Sequence, residues 1–221
     1  MRILAIGDVV GNIGCRFLRQ RLPALKKLKG VDLVIANGEN SADGNGVTPI
    51  SADFLFSSGV DVITTGNHSF RRREIYPYYD DAPYILRPAN FPEKTTPGNG
   101  TLIYDMGRVQ VCVINLMGCV FLENLKDPYE TIDEILKKNT AKITILDFHA
   151  EATAEKLAMG YYLDGRISAM FGTHTHVQTA DECIFENGMG YITDVGMTGP
   201  IKSVLGVKPV SYTHLTLPTI A

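Results

Sequence analysis

Four histidines close aliphatic runs: His68 ends VITTGNH, His149 ends ITILDFH, and His174 and His176 follow ISAMF within GTHTH. Imidazole is the commonest transition-metal ligand, and an H-x-H spacing on an extended segment lets two rings turn toward neighbouring metal positions. Carboxylates and amides obey the same placement. Asp8 ends the first aliphatic run, Glu39 and Asn40 follow the second, and Asn67 precedes His68. Hard oxygen donors mixed with imidazole suit manganese, iron or zinc, and one carboxylate can bridge two ions about 3.5–4 Å apart. Taken singly, a histidine here would be a satisfied core or surface residue, Asp8 a turn residue and Glu39 a solvated loop acid. Their coincidence at every strand end favours a metal site.

Those residues need strands behind them. Residues 2–7 and 31–36 read as strands buried on two faces, with an amphipathic helix over 15–29 between them that Pro23 should kink. Its apolar side carries Phe17, Leu18, Leu22, Leu25 and Leu28, with Arg16, Arg19, Lys26 and Lys27 opposite. A short helix over 51–58, capped at Ser51, leads to a β-branched run at 60–64. Segments 100–105 and 108–116 read as a hairpin around Met106 and Gly107. A helix over 128–138, burying Tyr129, Ile132, Ile135 and Leu136, precedes strands at 142–148, 166–171 and 190–195 and a helix at 152–160. Such alternation predicts mixed sheets covered by helices, with ligands beyond the carboxyl ends of the strands.

The chain's 221 residues are 45% hydrophobic and 20% charged, within the range of one globular α/β domain. A net charge of −3 leaves no broad basic field for gripping long nucleic acid. Cys15, Cys112, Cys119 and Cys183 form no C-x-x-C pair, so they read as reduced structural thiols. The opening MRILAIGDVVG is too short an apolar run for a signal peptide or membrane span, and a cytoplasmic location is expected. Glycines at 7, 11 and 14 stand between a strand and a helix, but their spacing misses G-x-G-x-x-G and no P-loop lysine follows. Residues 210–221, VSYTHLTLPTIA, carry no charge and resemble a translated sequencing-library adapter. They are expected to be a non-native tail in place of a native C-terminus; an ordinary ending packed through Tyr212 and Leu215 is the alternative.

Taken together, Gly7-Asp8, NGEN at 37–40, GNH at 66–68, FHAE at 148–151 and GTHTH at 172–176 resemble the calcineurin-like metallophosphoesterases. Within that superfamily the chain is similar to the YmdB family, whose members are 2′,3′-cyclic-nucleotide 2′-phosphodiesterase-like, from Met1 to about Pro209. The superfamily's usual D-x-H and G-D-x-x-D are replaced by Asp8-Val9-Val10 and Gly38-Glu39-Asn40, departures typical of the YmdB branch. The resemblance implies an α/β sandwich of mixed β-sheets flanked by helices over 1–209, with a truncated C-terminus. It implies two metal ions, iron or manganese first and zinc third: one held by Asp8, Glu39, Asn40 and His176, the other by Glu39, Asn67, His149 and His174, with Glu39 as the bridge. Hydrolysis of a small phosphodiester such as a 2′,3′-cyclic nucleotide by a metal-activated hydroxide follows, with His68 as general acid. So does a homo-oligomer. A regulatory nucleotide- or RNA-binding module that keeps its metals for structure is the competing reading. Glu151 could steer His149, Arg71, Arg72 and Arg73 could favour an anion, and the 41–46 loop could close over substrate.

Overall fold

Every residue of Leu33–Asn37 is buried, which a strand achieves only when both its faces are covered. The structure, a computed structural model, describes residues 1–209; the expected foreign tail lies outside the described residues. In chain order the elements are β1 (Ile3–Ile6), β2 (Asp8–Val9), α1 (Gly11–Lys29), β3 (Leu33–Asn37), α2 (Pro49–Ser57), β4 (Val62–Thr64), α3 (Ile75–Asp81), β5 (Thr101–Asp105), β6 (Gln110–Met117), α4 (Pro128–Lys138), β7 (Ile143–His149), α5 (Thr153–Leu163), β8 (Ala169–Thr173), β9 (Cys183–Ile184), β10 (Gly190–Ile192) and β11 (Met197–Thr198). A parallel three-stranded sheet runs β1-β3-β4, and a mixed six-stranded sheet runs β5-β6-β7-β8-β10-β9. In the larger sheet β6, β7, β8 and β10 are parallel, with β5 and β9 antiparallel at the edges.

Period-2 alternation sorts the strand residues into layers. Leu33, Ile35 and Val62 from the smaller sheet meet Val111, Val113, Ile145 and Phe171 from the larger in a core between the sheets. Their neighbours Val34, Ala36 and Ile63 face the other way, onto Leu18, Leu22, Ala52, Leu55, Ile75 and Tyr79 of α1, α2 and α3. On the far side, Cys112, Ile114, Leu146, Phe148 and Met170 pack against Ile132, Met159 and Leu163 of α4 and α5. The result is four layers, helix, sheet, sheet, helix, as the sequence alternation implies. Among the described residues no helix is long and apolar enough to cross a membrane.

Several local expectations need correction. Helix α1 begins at Gly11 rather than Cys15 and runs uninterrupted through Pro23. Its buried stripe is Gly14, Cys15, Leu18 and Leu22, whereas Phe17, Leu25 and Leu28 are exposed. Phe17 sits off the stripe. At 19 residues the helix is roughly 28 Å long, against about 17 Å for a five-residue strand, so its last turns outrun the sheet. Helix α2 is capped by Thr48, not Ser51; the two form a reciprocal capping box. In α4 only Ile132 of the four expected apolar residues is fully buried, the others packing at the rim. Cys183 is exposed, unlike buried Cys15 and Cys112, so the structural-thiol reading fails for it.

The inner-face series changes character at one end. After Leu33 and Ile35 comes Asn37, after Val62 comes Thr64, after Val113 comes Asn115, after Ile145 come Asp147 and His149, and after Phe171 comes Thr173. All six of these polar side chains are buried, and each must therefore find a partner.

Candidate metal centre

Strand ends deliver the side chains. His149 is the last residue of β7 and lies in register with Thr173 at the end of β8. Beyond β8 the chain turns sharply, with His174 at φ 101° and His176 at φ 63°, conformations that L-residues adopt only when the surroundings enforce them. Thr175, between them, supplies the enforcement. Its N–H and hydroxyl donate to Asp194 Oδ2 at 3.3 and 2.8 Å, and Asp194 is paired with Lys156 at 2.7 Å in the interior. Asp8, placed by the short parallel pair β2–β11, accepts the His174 N–H at 3.1 Å.

Around His149 Nε2 lie Asn67 Oδ1 at 2.9 Å, His174 Nδ1 at 3.0 Å and Glu39 Oε1 at 3.2 Å. Ligands each about 2.0–2.2 Å from one ion stand roughly 3 Å apart, so these separations are the edges of a coordination shell. Glu39, His149 and His174 can each offer one atom to a common ion. A second group adjoins it. Asp8 Oδ1 is 3.4 Å from His176 Nε2, and the Asn40 amide nitrogen is 3.4 Å from Asp8 Oδ1, 3.3 Å from His176 Nε2 and 3.4 Å from Glu39 Oε1. A cation needs the amide oxygen there, which rotation of the amide supplies, because its two ends are nearly isosteric. His176 Nδ1 donates to the Leu205 carbonyl at 2.9 Å, which leaves Nε2 as the ring atom on the Asp8 side.

His68 stands at the mouth of both groups. Its backbone N–H donates to Glu39 Oε2 at 2.9 Å and its Nδ1 lies 2.8 Å from Asn40 Oδ1. All eight residues singled out from the sequence, Asp8, Glu39, Asn40, Asn67, His68, His149, His174 and His176, thus come together. The secondary candidates fare differently. Glu151 does not steer His149; it projects to His174 Nε2 at 2.9 Å, because it lies beyond the strand end on the solvent side. Arg72 binds the carbonyl of Asn45 at 2.9 Å and so ties down the 41–46 loop, while Arg71 and Arg73 are exposed, Arg71 close enough to His68 for its charge to help lower that ring's pKa.

The electrostatics suit cations. Burial pushes Glu39 and Asp8 upward, but His149 at Glu39, and His176 with His149 at Asp8, outweigh it and hold both carboxyls below the usual range. Burial opposes the charge on His149, yet Glu39 and Asp8 raise its pKa to about 9. His174, buried beside His149, is pushed down to about 4, and burial likewise lowers His68. Without a cation, then, two buried carboxylates recruit a proton onto His149. A metal would displace that proton and supply the charge itself.

A family model described as YmdB-like protein matches residues 4–219, reaching past Pro209. The chain belongs to that family. A Bacillus subtilis 2′,3′-cyclic-nucleotide 2′-phosphodiesterase is 50% identical to this YmdB-like chain over 210 residues, covering 94% of the chain and 79% of the relative. A solved hypothetical protein from Thermus thermophilus superposes with a TM-score of 0.92 at 40% identity, covering 98% of this chain and 85% of the other. A novel phosphatase from Mycoplasma pneumoniae gives 0.91 at 34% identity, covering 96% and 78%. The four-layer arrangement is thus the metallophosphoesterase sandwich of the YmdB-like proteins.

Sequence reasoning missed the buried residues beneath the YmdB-like site: Asn37, Thr64, Asp147, Thr173 and the Lys156–Asp194 pair. Burial pushes Asp147 up to about 7 against the pull of Thr64, His149 and Thr173. The signal was present as polar residues continuing an apolar period-2 series, as in Ile143, Ile145, Asp147, His149. Gly66 is another. A Cβ there would stand 2.2 Å from the His149 ring, so Gly66→Ala is expected to dislodge the imidazole. Turnover should fall by about 100-fold, as misplacements near 1 Å do, with metal content by elemental analysis falling alongside.

Proposed function

We propose that this YmdB-like chain is a dinuclear-metal phosphodiesterase that hydrolyses small phosphodiesters, 2′,3′-cyclic nucleotides foremost, with His68 as general acid. The observation that carries this reading is the single buried Glu39 carboxylate shared between two ligand groups. The phosphodiesterase and phosphatase names of its relatives support a phosphoric diester hydrolase. Two divalent cations bound there, iron or manganese before zinc, would neutralise the phosphate oxygens and lower the pKa of a coordinated water.

The chain's own residues do the rest. Asp8 and Glu39 supply only two negative charges against four, leaving net positive charge for a phosphate diester. With its backbone on Glu39 and Nδ1 on Asn40, His68 has no partner at Nε2 among the described residues, and its ring is partly open to solvent. Nε2 is therefore the atom that would carry a proton to the departing 2′ oxygen, leaving the 3′-monophosphate. Burial lowers the His68 pKa, which makes its imidazolium a stronger acid.

The test is release of 3′-AMP from 2′,3′-cyclic AMP with Mn²⁺ present. Turnover that EDTA abolishes is expected. A chain that binds two metals yet cleaves neither this substrate nor an aryl phosphodiester would be a nucleotide-binding module instead.

A further inference from the structure

Asp147, His149 and Thr173 are wholly buried, on the inner faces of the adjacent strands β7 and β8. Thr173 Oγ1 lies 2.7 Å from Asp147 Oδ1 and 2.9 Å from His149 Nδ1. A hydroxyl has one hydrogen to give, so the direction in which Thr173 gives it fixes which nitrogen of His149 carries a proton.

The surroundings of Asp147 decide that direction. Its Oδ2 accepts the Thr64 hydroxyl, and the Asn37 amide nitrogen approaches at 3.5 Å; that nitrogen also lies 3.4 Å from Thr173 Oγ1 and 3.3 Å from His149 Nδ1, farther from the ring than the 2.9 Å threonine contact that decides its hydrogen. Asn37 is oriented with its nitrogen inward, because its Oδ1 accepts the Glu39 N–H at 3.1 Å. Asp147 is thus ringed by donors and acts as the acceptor for all of them. With its hydrogen on Asp147 Oδ1, Thr173 can only accept from the ring. His149 Nδ1 then carries the hydrogen, and Nε2 faces Glu39, Asn67 and His174.

We propose that Thr173 and Asp147 form a positioning relay that holds His149 with Nδ1 protonated and Nε2 aimed to bind a cation. The proposal rests on the metal-binding reading above and extends it to residues that touch neither cation nor substrate. Ligating histidines commonly give their second N–H to a carboxylate or carbonyl; here a threonine is interposed, because Asp147 sits two residues back on the same strand and its oxygens reach the neighbouring strand's hydroxyl instead. Glu151, the acid two residues after His149, stands on His174.

The experiment uses the full chain with ¹⁵N-labelled histidine, metal-free and loaded with Zn²⁺. A slowly exchanging Nδ1–H of His149, assigned by its loss in His149→Asn, is expected in both states. Thr173→Val, equal in size but without the hydroxyl, should lose that slow exchange and weaken Zn²⁺ binding about 10–100-fold, while Thr173→Ser should stay within about threefold of the wild type. Thr64→Val removes the other hydroxyl on Asp147 without touching the ring, and should match Thr173→Val in lost stability but keep wild-type Zn²⁺ affinity. A bare Nδ1 in the wild type, with Asp147 protonated and the Thr173 hydrogen turned to the ring, overturns the relay. So does equal weakening of Zn²⁺ binding by both valine variants. If Thr173→Val does not fold, the wild-type resonance alone decides. If the wild type binds no zinc, the metal reading fails separately, since the metal-free spectrum taken above the raised His149 pKa of about 9, where the ring is neutral, still reports on Nδ1.

Discussion

His68→Ala is expected to lower turnover of 2′,3′-cyclic AMP by about 10²–10⁴-fold, the usual contribution of a positioned general acid, with both metals retained. The backbone explains the retention. Glu39 Oε2 accepts the N–H of residue 68, a contact that alanine preserves, and no ligand atom of either group comes from the imidazole. KM should change little, because the missing proton matters only as the leaving oxygen departs. A substrate with a good leaving group, such as p-nitrophenolate, needs no proton there and should lose much less. Equal losses on both substrates, or loss of metal, would remove His68 from the acid role.

Glu39→Gln should have a larger effect. The carboxylate lies 3.2 Å from His149 and 3.4 Å from the Asn40 amide, the junction of the two ligand groups. An amide brings no negative charge to the junction, and its nitrogen would face His149 or the His68 N–H in a fully buried position. At least one metal should be lost per chain. A cation contributes several kcal/mol of transition-state stabilisation, so turnover should fall on the order of 10³-fold or more. In the metal-free variant the His149 pKa should drop, since after burial Glu39 is its strongest influence. Full metal content with near-normal turnover would contradict the shared-carboxylate arrangement.

The sequence carried more of the site than of the helices. His68, His149, His174 and Glu39 were legible because each breaks an aliphatic run at the place where a strand must end, and covalent spacing alone puts His174 and His176 just beyond β8. Helix α1 was misread because periodicity reports which residues share a face, not how far the neighbouring sheet extends; Leu28 obeys the pattern and still projects into solvent. The short pair β2–β11 joins residues far apart in sequence, and two-residue strands carry no period to detect. Asp147 passed as an ordinary strand residue, and Thr173 as a spacer in GTHTH, because their importance lies in register. Thr173 matters because it is opposite His149 across β7 and β8, and no local pattern encodes that pairing.

Anomalous diffraction from crystals grown with Mn²⁺ tests the central claim most directly. Two peaks are expected about 3.5–4 Å apart, one against Asn67, His149 and His174, the other against Asp8, Asn40 and His176, with Glu39 between them. A single peak, or manganese bound anywhere that leaves Glu39 outside its coordination shell, would contradict the account.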